Sequence, residues 1–162
     1  MTLLVVGTIP SAEQSLCAGP VAYDGASLTV GGAEIPACQG TAALLQAALC
    51  ACEAVGAPPP HALLGRDIGR GDGTRAAYEA LPEWVERTRP SVIAFHYLQP
   101  VMSLMRRAVA MIDESSEALL VADAGGMYAA RGAGLASRFE LMTPDVGEVG
   151  FMADPEVTHP AY

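Results

Sequence analysis

Hydrophobic and polar positions alternate or run together along this chain in blocks of distinct period, and the blocks predict most of its elements. Residues 3–7 are a short apolar run and read as a first core strand. Residues 21–25 and 27–30 alternate and flank a glycine-containing turn, which is a hairpin signature; Glu34-Ile35-Pro36 extends it as a third short stretch. From Gly40 the period changes. Residues 41–55, rich in Ala and Leu and stopped by Gly56, predict a helix. After the stiff Pro58-Pro59-Pro60 linker, residues 61–65 predict a strand and residues 74–87 a helix that Pro82 breaks or kinks. Residues 91–96 and 118–123 are apolar strands, and residues 101–114 between them an amphipathic helix. A short weak helix over 125–134, a last strand over 139–142 and a helix starting at Asp145 complete the series.

Strands that are nearly all apolar, separated by helices, predict a parallel sheet covered on both faces, with right-handed crossovers. The expected architecture is one α/β domain over 1–162: a strand and β-hairpin region over 1–37, then an alternating helix/strand core over 38–162. The tail from Asp154 to Tyr162 has two prolines and no periodicity, so the chain is expected to stop in mid-fold.

Composition narrows the function. The 162 residues suffice for one domain with a proper core, and 51% hydrophobic against 17% charged residues fits a compact interior. No apolar run of about 18 residues predicts a membrane span, and the N-terminus lacks the basic region of a signal peptide, so a cytoplasmic protein is expected. All nine basic residues are Arg, which excludes a Schiff-base or P-loop lysine. A net charge of −9 argues against nucleic acid or an anionic membrane as partner. It leaves room for a nucleotide, whose phosphates backbone N–H groups and a metal can offset. Cys17, Cys38, Cys50 and Cys52 lack C-x-x-C spacing and read as buried free thiols, a metal or redox role being the other reading.

In open α/β sheets ligands bind beyond the carboxyl ends of the strands. Two acidic motifs fall there. Val121-Ala122-Asp123-Ala124-Gly125-Gly126 puts Asp123 at a strand end, with glycines that permit close backbone approach; Asp123 caps the next helix or meets a ligand. In Thr143-Pro144-Asp145-Val146-Gly147-Glu148, Asp145 and Glu148 have capping-box spacing, and the same geometry turns Glu148 to the sheet edge where it can hold a metal-bound water. Three more segments share the edge. Asp67-Ile68-Gly69-Arg70-Gly71-Asp72-Gly73-Thr74 is either a phosphate-binding or a solvent loop. Gly40-Thr41 opens a helix and suits either an anion or tight helix–sheet packing. His96 ends a strand beside Asp123 and is suited to proton transfer near neutral pH, or is a satisfied structural residue. His61 and His159 show no partner pattern, and Trp84 reads as a packing residue.

These residues resemble the ribokinase-like superfamily, nearest to its branch of NAD(P)H-hydrate dehydratases and small-molecule kinases such as hydroxyethylthiazole kinase. The specific segments are Ala122-Asp123-Ala124-Gly125 and Thr143-to-Glu148, which is similar to that branch's T-P-(H/N)-x-x-E; residues 38–152 follow its element order. The resemblance implies a doubly wound, mostly parallel sheet with helices on both faces. It implies an ATP- or ADP-dependent dehydratase of hydrated NAD(P)H, or a small-molecule kinase, using Mg²⁺. Asp123, Asp145 and Glu148 would be catalytic, with Glu148 on the metal's water shell and Asp123 orienting substrate or its hydroxyl. Thr143 and Asp145 would meet the nucleotide, and Gly40, Thr41, Asp67, Gly69, Gly71 and His96 the substrate. Asp145 stands where the family has His or Asn, and the G-x-G-D segment of the kinases has no match, so residues 1–162 read as the front of a larger fold or a degenerate relative. A non-catalytic nucleotide- or metabolite-binding module and a flavodoxin-like domain are the alternatives. The apolar composition also allows a homo-oligomer.

Overall fold

The computed structural model describes residues 1–11, 15–36, 40–154 and 156. The chain forms β1 (Leu3–Ile9), β2 (Leu16–Tyr23), β3 (Leu28–Val30), β4 (Ala33–Ile35), α1 (Thr41–Ala54), β5 (His61–Arg66), α2 (Asp72–Thr88), β6 (Val92–His96), α3 (Met102–Ser115), β7 (Leu119–Asp123), α4 (Gly125–Gly132), β8 (Leu141–Met142) and α5 (Val146–Ala153). A 3₁₀ turn at Ala136–Arg138 precedes β8.

One mixed sheet holds the eight strands of the described residues in the order β4-β3-β2-β5-β1-β6-β7-β8. The five strands from β5 to β8 pair in parallel, and β2, β3 and β4 add antiparallel at one side. Successive side chains of a strand leave on opposite faces, so β1 feeds two cores. Leu4 and Val6 join Leu63, Ile93, Phe95 and Leu120 under α2, α3 and α4. Val5 and Ile9 join Leu64, Val21 and Leu28 under Ala42 and Leu45 of α1. Each such aliphatic or aromatic side chain, fully buried, contributes about 1.5–3 kcal/mol.

The helices therefore lie on both faces, and the direction of strand addition reverses about β1: the chain runs first to β5 on one side, then to β6, β7 and β8 on the other. Such a reversal opens a crevice at the carboxyl ends of the parallel strands.

Three expectations are corrected. Pro82 does not interrupt α2, which runs 17 residues through it. Leu81, Trp84 and Val85 around it are buried, and that packing outweighs the loss of one backbone hydrogen bond. The predicted hairpin strand starts earlier, at Leu16, because residues 16–20 pair antiparallel with β5. Most of the tail, with His159, lies outside the described residues, as does Cys38. Cys17 and Cys52 are buried thiols as expected, but Cys50 is exposed on α1. No helix of the described residues is long and apolar enough to cross a membrane.

Glycine sets the distance between β5 and α2. A side chain on Gly65 would overlap the backbone of Gly73. Gly65→Ala is expected to lower stability by about 3 kcal/mol, the upper end of overpacking costs. By contrast, a methyl on Gly150 in α5 meets open space, so Gly150→Ala should be neutral or stabilising by up to about 1 kcal/mol. Urea midpoints of the two variants check both.

Candidate functional site

The carboxyl ends of β1, β6 and β7 carry a largely buried polar cluster. β6 and β7 are in parallel register with His96 opposite Asp123, so both side chains leave on the α1 face. His96 Nε2 lies 3.3 Å from Asp123 Oδ2; the His96 side chain is 5% exposed and that of Asp123 38%. On its other nitrogen, His96 Nδ1 is 2.9 Å from Thr41 Oγ1. The Thr41 hydroxyl is also 2.7 Å from the Thr8 carbonyl oxygen at the end of β1. Thr41 reaches this position because β1 presents Gly7 beneath it: a Cβ at Gly7 would sit 3.0 Å from the Thr41 methyl and 2.5 Å from the His96 carbonyl oxygen. The Thr8 hydroxyl in turn donates to the Tyr97 carbonyl.

Burial pushes the His96 pKa below its ordinary value, against the opposing pull of the Asp123 carboxylate. Its neighbour Tyr97 packs edge-on at 4.7 Å between ring centroids and is half exposed. The residue after each member of the pair has a positive φ: Tyr97 at 51° and Ala124 at 48°. Non-glycine residues in such conformations cost about 1–3 kcal/mol each and persist only where the surroundings impose them. For Ala124 the cause is visible. Gly125 and Gly126 lie so close to the carbonyls of Leu98 and Phe95 that no other residue fits, which presses the start of α4 onto β6.

The other candidates are placed differently. Asp67 folds its own loop: Oδ1 accepts from the N–H groups of Gly69 (2.9 Å), Arg70 (2.8 Å) and Gly71 (3.1 Å), and Oδ2 from Thr74 (3.3 Å). Partial burial opposes its ionisation, but the four donors outweigh it and hold the carboxyl below its usual range. These amides point at Asp67, so the loop's glycines, with Gly69 and Gly71 at positive φ, supply the turn that Asp67 stabilises. Gly40 stands at the start of α1 with φ 62°, its Cα against the Tyr97 ring.

Asp145 and Glu148 form the capping box of α5. Asp145 Oδ1 accepts from the Glu148 N–H and Glu148 Oε2 from the Asp145 N–H, both at 2.8 Å. Glu148 Oε1 accepts the Tyr128 hydroxyl at 2.5 Å. Burial and then that carboxylate raise the Tyr128 pKa. Thr143 is exposed, its N–H bonded to the Ala122 carbonyl. The structure thus joins Thr41, His96 and Asp123, and keeps Asp145 and Glu148 in a separate cluster. Among the described residues no group of three or more His, Cys, Asp and Glu side chains is placed to hold a metal. Each Glu148 oxygen retains acceptor capacity, which suits the water shell of a cation and not a direct carboxylate cage.

Sequence reading missed Thr8, Tyr97 and Tyr128. Only Tyr97 carried a signal, its place directly after His96. An open recess elsewhere, lined by Val85, Arg89, Ser91, Ser115 and Ala118, lies at the opposite end of β6 and β7 and touches none of these groups.

No family model matches the chain, and no solved structure does. Among curated proteins it is similar to an uncharacterized protein of Methanocaldococcus jannaschii, with 43% identity over 96 residues, which is 59% of this chain and 37% of that protein. The match therefore spans well under two thirds of the relative's length.

Two outcomes follow from the acids that organise backbone. Asp67→Ala should cost about 1–2 kcal/mol. Because the Asp67 pKa is lowered on folding, that contribution is complete above the unfolded value, about 3.9, and disappears as pH falls through the lower folded value. Denaturation of wild type and variant against pH should show the gap closing in acid. Asp145→Ala should cost about 0.5–2 kcal/mol through loss of the cap, and Asp145→Asn much less; thermal melts of the pair check the ranking.

Proposed function

We propose that this chain carries the substrate side of a ribokinase-like enzyme site. The reaction is ATP- or ADP-dependent dehydration of hydrated NAD(P)H, or phosphorylation of a similar small hydroxylated metabolite. The observation that carries the reading is the pairing of Asp123 with His96 at a strand edge where the direction of strand addition reverses. The next strand, β8, leads into Thr143-Pro144-Asp145 and the Glu148 of α5. The order of elements and the T-P-D-x-x-E segment are what one would expect of the dehydratase and small-kinase branch.

In this reading a nucleotide's terminal phosphoryl group goes to the substrate hydroxyl; in the dehydratase, phosphate then leaves and the nicotinamide ring is restored. Phosphoryl transfer needs positioning and charge neutralisation more than covalent help from the protein. Asp123, the more exposed member of its pair, meets the substrate hydroxyl. Gly40, with the Tyr97 ring against it, and Thr41 shape the floor of the site. Asp67 with Gly69 and Gly71 builds one wall through its turn. Thr143 and the α5 start face the nucleotide. Mg²⁺, when bound, supplies charge neutralisation at the phosphates, with Glu148 accepting from its water shell.

The test is turnover: regain of NADH absorbance from hydrated NADH with ATP or ADP, together with calorimetric binding of each nucleotide. Asp123→Asn is expected to lower turnover at least about a hundredfold while its melting temperature stays within a few degrees of wild type. Equal turnover in wild type and variant would remove Asp123 from the chemistry. Nucleotide or substrate binding without turnover would make the chain a metabolite-binding module, and no binding of either would sink the reading.

A further inference from the structure

We infer that Asp123 and His96 form one proton-accepting pair that is a proton short of its full hydrogen-bond complement, held in that state by Thr41, and that the pair takes the proton of a substrate hydroxyl at the strand edge. The hydrogen bonds can be counted. Three close polar contacts run in line: Thr8 carbonyl to Thr41 Oγ1, Thr41 Oγ1 to His96 Nδ1, and His96 Nε2 to Asp123 Oδ2. Each needs a proton between its atoms. A neutral imidazole and an ionised carboxylate leave two protons for three contacts, one on the Thr41 hydroxyl and one on the ring.

The distances say which contact goes without. They are 2.7, 2.9 and 3.3 Å along the line. The carbonyl of Thr8 can only accept, so the Thr41 hydroxyl donates to it. Thr41 Oγ1 must then accept from His96, which places the ring proton on Nδ1. Nε2 is left bare, facing the Asp123 carboxylate across the longest of the three gaps. A lone pair opposed to a carboxylate is an empty place for a proton.

The groups around His96 fit this state. Asp123 from β7 is the charged group against it; Tyr97, its neighbour on β6, adds a phenol ring at 4.7 Å. Among the described residues, the β1 and α1 neighbours shown against it are the uncharged Gly7 and Thr41, and the first turn of α1 has no acidic residue. Burial lowers the His96 pKa, which keeps the place empty at neutral pH.

The inference deepens the reading of this edge as a substrate site and rests on it for the identity of the proton donor. In the step, the substrate O–H bond breaks and its electron pair stays on oxygen, which attacks the terminal phosphorus of a nucleoside di- or triphosphate; the new O–P bond forms as the bridging P–O bond breaks, and the nucleoside mono- or diphosphate leaves with that bond's electron pair. The proton arrives on Asp123, the exposed partner, and comes to lie between Oδ2 and Nε2, completing the third hydrogen bond. Asp123 is the catalytic residue; His96 and Thr41 act through it as positioning residues.

The ring nitrogens report the state directly in the free protein. With ¹⁵N-labelled histidine, and His96→Gln to assign the signals, wild-type His96 should be protonated on Nδ1 and bare on Nε2 at neutral pH. Thr41→Val is nearly isosteric and removes the hydroxyl. The ring proton should move to Nε2 and bond Asp123, and with the deficit gone the His96 titration should shift to lower pH. An Nε2–H ring in the wild type, or a Thr41→Val spectrum like the wild type's, would overturn the inference. With ATP and hydrated NADH as probes, the acidic limb of kcat/KM should move with the NMR titration in Thr41→Val; a limb that stays put while the titration moves would remove the pair from the reaction. Absence of turnover beside a confirmed Nδ1–H ring would support the proton deficit and fail the reaction proposed above, so the two are separable.

Discussion

The seating of Thr41 on Gly7 is the contact from which the site is built. Where β1 passes between β5 and β6, Gly7 presents no side chain to the α1 face, and the start of α1 settles into that space. Three consequences follow from one missing Cβ. The Thr41 hydroxyl comes within reach of the Thr8 carbonyl and of His96. The His96 ring is fixed at one nitrogen and therefore aimed at Asp123 with the other. The middle of the polar line is also buried, Thr41 being 2% and His96 4% exposed. Interiors are packed too densely for such a line to tolerate a methyl group without moving.

The same device recurs at the neighbouring strands. Gly65 lets α2 approach β5, and Gly125 with Gly126 lets α4 approach β6. Helix starts therefore crowd the carboxyl edge of the sheet. The crowding has a cost in the backbone, seen in the positive φ of Tyr97 and Ala124 directly after His96 and Asp123. Placing the strain there keeps the pair's own residues in regular strand geometry, so their register, and hence their separation, is set by the β6–β7 ladder.

Much of the fold was legible because it rests on local period. β1, β6, β7, α1 and α3 were predicted to within two residues at nearly every end, each being an apolar run or amphipathic stretch bounded by Gly, Pro or a polar residue. The first half of β2 was not, because Leu16 to Pro20 becomes a strand by pairing with β5, some 45 positions away, and Gly19 and Pro20 weaken any local signal. The break allowed for at Pro82 is absent for the opposite reason: a local rule lost to the burial of Leu81, Trp84 and Val85. At the site, Thr41, His96 and Asp123 were each visible as a residue at an element's end. Their union was not, since it needs the β6–β7 register and the space above Gly7, and neither is written in the spacing of the three residues.

The acids of the sheet edge divide by what they face, and the division bears on function. Asp67, Asp145 and Glu148 were all candidates on position alone. Each has turned to backbone N–H groups, Asp67 to four of them and the other two to each other's. These carboxylates organise backbone, and Glu148 also takes the Tyr128 hydroxyl on its other oxygen. Asp123 bonds the Ala124 N–H through one oxygen, but its other oxygen faces a ring that can exchange a proton. A carboxylate oxygen opposed to an amide has a proton in its hydrogen bond; one opposed to a bare imidazole nitrogen lacks a proton between the two atoms. Of the four, Asp123 is the acid that faces a buried imidazole, and the Thr8–Thr41–His96 line behind it gives the arrival of a proton a definite structural form.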